Sequence, residues 1–195
     1  LLLARRKSAR GGDAAGAAKL LEEALASSAG SPRRDELELE LAAARIEAGE
    51  TEAALEVLGR PGFAKGREDQ AAYLTAHALH RARDWPGAIA ACEAFGKAHP
   101  KSPFLDQVRQ ILAESQFLSG DYAAARSTYE SCLARPAAAA DPARALRLRF
   151  RSAQCLYFAG KYSEARPALL AVAKSAGADD AAGREHVYMQ AQRDL

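Results

Sequence analysis

No stretch of this sequence alternates apolar and polar residues as a half-buried strand does. Instead, alanine- and leucine-rich runs of helical length are separated by short punctuation of Gly, Pro, Asp and Ser. The pattern predicts helices near 13–28, 32–48, 51–58, 68–82, 85–98, 103–119, 122–134, 142–159, 162–176 and 179–193, and no sheet. Ser102 before Pro103 and Asp141 before Pro142 mark two helix starts, each with a capping oxygen followed by a proline suited to the first turn.

The punctuation repeats. Ala48-Gly49-Glu50-Thr51-Glu52-Ala53-Ala54 returns as Ala82-Arg83-Asp84-Trp85-Pro86-Gly87-Ala88 and as Ser119-Gly120-Asp121-Tyr122-Ala123-Ala124-Ala125. It returns again as Ala159-Gly160-Lys161-Tyr162-Ser163-Glu164-Ala165, with a weaker copy at Gly11-Gly12-Asp13-Ala14-Ala15-Gly16-Ala17. The last alanines stand at 17, 54, 88, 125 and 165, giving intervals of 37, 34, 37 and 40. In four copies a second alanine sits twelve residues earlier, at Ala42, Ala76, Ala113 and Ala153.

Such a string is the connection of a helix hairpin. Gly49, Gly120 and Gly160 fall where a first helix ends, and glycine tolerates the left-handed conformation that ends it. Glu50, Asp84 and Asp121 then meet the positive N-terminus of a second helix. Trp85, Tyr122 and Tyr162 wedge against the hairpin, and the paired alanines let its two helices approach closely. Hairpins stacked in this way bury one continuous core.

With these residues in view, the chain resembles the tetratricopeptide repeat (TPR), a helix pair about 34 residues long. The large residue the family places in its second helix is matched by Leu21, Leu58, Tyr129 and Leu169, with Cys92 in the third copy. Its closing proline is matched by Pro100 and approximately by Pro136. Thr51 replaces the aromatic of the turn, while Ala14 and Arg5 depart from the pattern in the first copy. The longer intervals require longer connections at Arg60-Pro61-Gly62 and from Pro136 to Pro142. The resemblance covers roughly 10–176 and implies an all-α, right-handed α-solenoid of antiparallel helix hairpins. Its repeats would run approximately 1–29, 34–62, 68–100, 105–136 and 142–176, with 178–195 a capping helix or the start of a further repeat. Residues 1–195 would then form a single TPR-like domain, expected to be a piece of a longer protein.

Composition narrows the function classes. About one residue in four is alanine, which favours thin layers of closely packed helices. Lys+Arg total 27 against 25 Asp+Glu, a net charge of +2 that predicts no general attraction to nucleic acid. No apolar run reaches the roughly 20 residues of a membrane span, so no membrane insertion is expected. Cys92, Cys132 and Cys155 show no metal or disulfide spacing and fall in apolar helical stretches, where cysteine acts as a small hydrophobe. Unpaired cysteines point toward a reducing cytoplasm. The junction Ala98-His99-Pro100-Lys101-Ser102-Pro103-Phe104 is similar to those of bacterial envelope TPR lipoproteins, so cytoplasm and periplasm both remain open. Alanine and arginine richness suggests a bacterial source.

Nucleophile, phosphate-loop and metal-ligand motifs are absent, so neither an enzyme nor a cofactor is expected. His77 and His80, three apart on one helix, could hold a metal only with further ligands from elsewhere. Arg144, Arg147 and Arg151 share one helix face, suited to carboxylate or phosphate, with Arg149 turned away. The resemblance implies that the first helix of each repeat lines a concave groove. By position this groove would offer Glu36, Leu39, Glu40 and Glu47, then Tyr73, His77, His80 and Arg81. Gln107, Gln110, Glu114 and Leu118 follow, and then Arg147, Arg151, Gln154 and Phe158. A face that runs from acidic to basic with aromatics between suits an extended peptide or protein partner. The family's clamp for an acidic chain terminus groups Lys, Arg and Asn, and only Arg147 and Arg151 approach it. The alternative is an architectural, oligomerisation or regulatory segment of a larger protein without a groove ligand, self-associating through its solenoid ends.

Overall fold

The computed structural model describes residues 13–27, 34–60 and 63–175. These residues hold α1 (Ala14–Ser27), α2 (Arg34–Ala48), α3 (Thr51–Leu58), α4 (Glu68–Arg81) and α5 (Trp85–Ala98). They continue with α6 (Leu105–Leu118), α7 (Tyr122–Leu133), α8 (Pro136–Ala140), α9 (Pro142–Phe158) and α10 (Tyr162–Ser175). No strand occurs among the described residues. The helix expected at 179–193 and the first copy's leading residues lie outside them.

The four stronger copies of the connection close in the same way. Gly49, Gly120 and Gly160 take φ of 86°, 88° and 75°, the left-handed region a bare backbone enters without strain. In each, the amide of the next residue reaches back to the first helix: Glu50 to the Arg45 carbonyl (2.8 Å), Asp121 to Gln116 (2.9 Å), Lys161 to Leu156 (2.9 Å). This is the paired-bond stop that satisfies the last carbonyls of a helix. The third copy has no glycine at this point, yet Arg83 adopts φ 62° and Asp84 donates to Leu79 (3.0 Å). The fold therefore imposes the turn even where the residue resists it.

On the far side of the turn the acidic residues divide. Asp84 and Asp121 cap α5 and α7 by accepting from the amides of Gly87 and Ala124, both at 3.0 Å. Glu50 makes no such side-chain bond. Asp141 caps α9 through the Arg144 amide (3.0 Å), with Pro142 in the first turn as expected. The start at Ser102-Pro103 moves. Ser102 Oγ accepts from the Phe104 amide (3.1 Å) within a turn, and α6 begins only at Leu105. The long connection after Pro136 is not structureless either, since its run of alanines forms the five-residue α8.

The chain divides into two compact units at Ile111/Leu112, inside α6. In the first, Leu39, Ala42, Ile46, Ala54, Leu58 and Leu74 from α2, α3 and α4 form one core, and α1 adds Ala17, Ala18 and Leu21 against Leu41 and Ala44. Leu39, expected on the groove, is instead fully buried in that core. In the second, Ala113, Ala125, Tyr129, Cys132, Leu148 and Cys155 pack together, and Leu169 and Ala173 of α10 close on Ala153. All of the paired alanines are buried, at 2% exposure or less. The five large second-helix positions are buried too. Small residues at the crossing fix the spacing, and large ones beside it fill the gap.

Candidate functional site

The first helix of each pair spends one face on its partner and keeps another at the surface. In the first unit that surface is aromatic. Tyr73 of α4 stacks on Phe104 with ring centres 5.0 Å apart and planes within 8°. His77, one turn on, also stacks with Tyr73, at 6.0 Å. Burial, and behind it the Glu47 carboxylate, raises the Tyr73 phenol above its ordinary value. Burial lowers His77, with Glu47 opposing the shift and Arg81 adding to it. His77 is therefore held toward its neutral form, as a stacking and hydrogen-bonding ring.

His80 points elsewhere, tilted against Trp85 at 5.3 Å. The two histidines thus serve different neighbours and do not converge. Arg81, Gln107 and Gln110 are exposed. Turned so that its nitrogen faces the chain, the Gln107 amide donates to the carbonyls of Pro103 (3.1 Å) and Phe104 (3.3 Å). Phe104 is not among the residues expected here. Its only signal in the sequence is an aromatic in a proline-containing connection.

In the second unit the equivalent surface is a charged pair on an aromatic bed. Arg151 of α9 reaches Glu114 of α6 (3.2 Å) and donates to Gln154 Oε1 (3.2 Å). Its guanidinium lies 5.2 Å from the centre of the Phe117 ring. Both charges keep solvent contact, so the ion pair and the cation–π contact are each worth roughly 0.5–1 kcal/mol. Below them the Tyr129 hydroxyl is fully buried and without a well-formed hydrogen bond, and burial followed by the Glu114 charge pushes its pKa upward. Burial likewise raises the Cys155 thiol to about 11 and Cys92 to about 12, so neither is a thiolate at neutral pH.

Arg147 is exposed, and half-exposed Phe158 packs edge-on to Phe117 at 5.5 Å and stacks on Tyr122 at 5.7 Å. Arg144 buries its Nε without a partner. Arg149 leaves this face, as its spacing requires. It lines a cavity of about 400 Å³ among α7, α9 and α10, with Arg126, Glu130, Leu133, Leu156 and Val172.

Helix pairs joined by one repeated turn, with alanines at each crossing, define the architecture. Two solved structures share it. A glutamine-to-methionine variant of a Podosopora anserina protein, described as a kinesin light chain with nearly identical TPR-like repeats, superposes with a TM-score of 0.68 at 21% identity. That match covers 89% of this chain and 91% of the other. A second structure of the same description gives 0.65 at 19% identity, covering 98% and 94%. This chain has a TPR-like helical repeat fold. Identity this low carries the fold and nothing of the partners. No protein-family model matches the chain, and no curated protein does either. Among the described residues of this TPR-like chain, no helix is long and apolar enough to cross a membrane.

Proposed function

We propose that this chain is a non-catalytic protein-interaction module that takes an extended peptide or a protein partner along the surface of its first helices. Tyr73, His77, His80, Arg81, Gln107 and Gln110 would contact the partner from the first unit, and Glu114, Arg147, Arg151, Gln154 and Phe158 from the second. The observation that carries this reading is the contrast within the first helices α4 and α9, taken together. Their alanine faces are packed away, while their other faces hold stacked aromatics, a neutral-leaning histidine and an arginine already fixed in place. Side chains ordered before binding lose less entropy on contact, which raises affinity without adding area.

Arg151 is held by Glu114 and Gln154, so it acts as an aligned but half-neutralised charge. Arg147, exposed one turn earlier, supplies the stronger attraction for a carboxylate. The test is affinity capture with the 195-residue chain beside Arg147→Glu and Tyr73→Ala variants, each checked for an unchanged helical circular dichroism spectrum. A partner retained by the wild type and lost by both variants supports the reading. An identical set of captured proteins for all three refutes it.

A further inference from the structure

Among the described residues, the exposed large hydrophobic side chains are Leu118, Phe158 and Tyr162, each about half exposed at 49%, 50% and 49%. All three belong to the second unit, and all three sit at its two hairpin turns. In the repeat register they are not independent. Leu118 and Phe158 both stand seven residues before the last alanine of their string, and Tyr122 and Tyr162 both stand three before it. The first-unit hairpins carry exposed Glu47 and Arg81 at the seven-before position, so the apolar edge is confined to the Gly120 and Gly160 turns. Ring contacts make those two turns one surface. Tyr122 stacks on Phe158, Phe158 meets Tyr157 edge-on at 5.3 Å, and Tyr157 meets Tyr162 at 5.4 Å.

Between these positions, four before the alanine, one turn carries Asp121 and the other Lys161. The two turns are therefore copies of each other with opposite charge. A surface built from two such copies complements itself under a two-fold rotation. The first turn of one chain would lie on the second turn of the other, Leu118 on Phe158 and Tyr122 on Tyr162, with Asp121 against Lys161 twice. An isologous contact requires this reciprocal arrangement. An apolar patch of this size is no larger than monomers commonly expose, so the reciprocal charges single out the second copy as its occupant.

We propose that the hairpin edge formed by the Gly120 and Gly160 turns is a self-association surface whose occupant is the same edge of a second copy of this chain. The side chains offer on the order of 300 Å² per copy, well below the ~800 Å² per partner of a stable complex. The association is consequently weak, with a dissociation constant on the order of 0.1–1 mM, and acts when copies are already held close together.

Sedimentation equilibrium on the full chain up to about 1 mM tests this, a range chosen to span that constant. The expected result is a mass that rises toward a dimer with concentration. Lys161→Glu weakens the association about tenfold by setting the new carboxylate against Asp121, and Asp121→Lys weakens it similarly by setting two ammonium groups together. An equimolar mixture of the two single variants regains it, because both reciprocal pairs are then opposite in sign. Asp121 also caps α7, so circular dichroism must show that Asp121→Lys still folds. If it does not, Asp121→Asn keeps a capping oxygen, and it should weaken the wild-type dimer while partly restoring Lys161→Glu. A monomer throughout, an association indifferent to Lys161→Glu, or a mixture without recovery overturns the proposal. An Asp121→Asn variant that changes neither background does the same. Phe158 is shared with the partner-binding set, whereas the residues varied here, Asp121 and Lys161, lie outside it, so failure here leaves the partner reading standing.

Discussion

The helix bearing His77 and the helix bearing Gln154 occupy the same place in the repeat, each residue eleven before the last alanine of its string. Their surroundings differ. In α4 the ring joins an aromatic stack and is held toward neutrality by burial. In α9 the amide braces an arginine already paired to Glu114 over Phe117. One residue earlier, Ala76 and Ala153 are buried alike. The crossing tolerates only a small side chain, and the neighbouring position is left open to different chemistry. The repeat constrains spacing, and it leaves the exposed neighbours free to vary.

The sharpest way to break that contrast is at Tyr129, whose ring lies at the centre of the second unit. Tyr129→Ala removes a fully buried aromatic, and unfolding in urea should show a loss of about 3–5 kcal/mol. Tyr129→Phe deletes only a buried hydroxyl without a well-formed bond, so stability should stay within about 1 kcal/mol of wild type. A large loss for Phe would mean that the hydroxyl helps hold Glu114 and Arg151 in place, making the charged site part of the core.

A smaller effect separates the turns. Gly120→Ala places a side chain at φ 88° and should cost about 1–2 kcal/mol. Arg83→Gly relieves the same strain at φ 62° and should add up to about 1 kcal/mol, reduced by the extra freedom glycine gives the unfolded chain. Thermal melts of both variants compare the two units through one backbone geometry. If Arg83→Gly destabilises, the Arg83 side chain contributes something that its backbone geometry does not reveal.

The weakest effect is on pH. Because burial lowers His77 below the ordinary histidine value near 6.5, the unfolded chain binds its proton more readily. The contribution is fully present above that value, and stability falls as pH drops through about 6.5 toward the lower folded pKa. Replacing His77 with Phe should flatten that part of the stability profile, while Gln154→Ala in the second unit leaves it unchanged. A slope that survives the His77 replacement assigns the titration to another group.

Much of this fold is legible in the sequence, because close helix crossings and their turns leave chemical marks: alanine at fixed separation, glycine at the stop, aspartate at the restart. The turn at Arg83 keeps the paired alanines and Asp84 and lacks only the glycine, because tertiary packing there overrides the residue's own preference. Spacing misplaces Leu39, because it cannot tell the core face of α2 from its outer one and a leucine suits either. Pro136 to Pro142 resembles a loop because its prolines hide a helix of one short turn. The site is legible only as a set of positions. That Arg151 is already paired, that Phe104 completes the Tyr73 stack, and that Tyr129 lies beneath the charges depend on contacts between helices distant in sequence.

The central claim is that the exposed face of the first helices receives the partner. Site-specific photo-crosslinking tests it most directly, with a benzoylphenylalanine placed in turn at Gln110 and Ala143 on first helices and at Glu93 and Ser127 on second helices, all exposed positions. Ala143 stands one turn before Arg147 and leaves that charge in place, so the account predicts a crosslinked partner from Gln110 and Ala143 and none from Glu93 or Ser127. Crosslinks confined to Glu93 and Ser127 would contradict it and move the binding surface to the second helices.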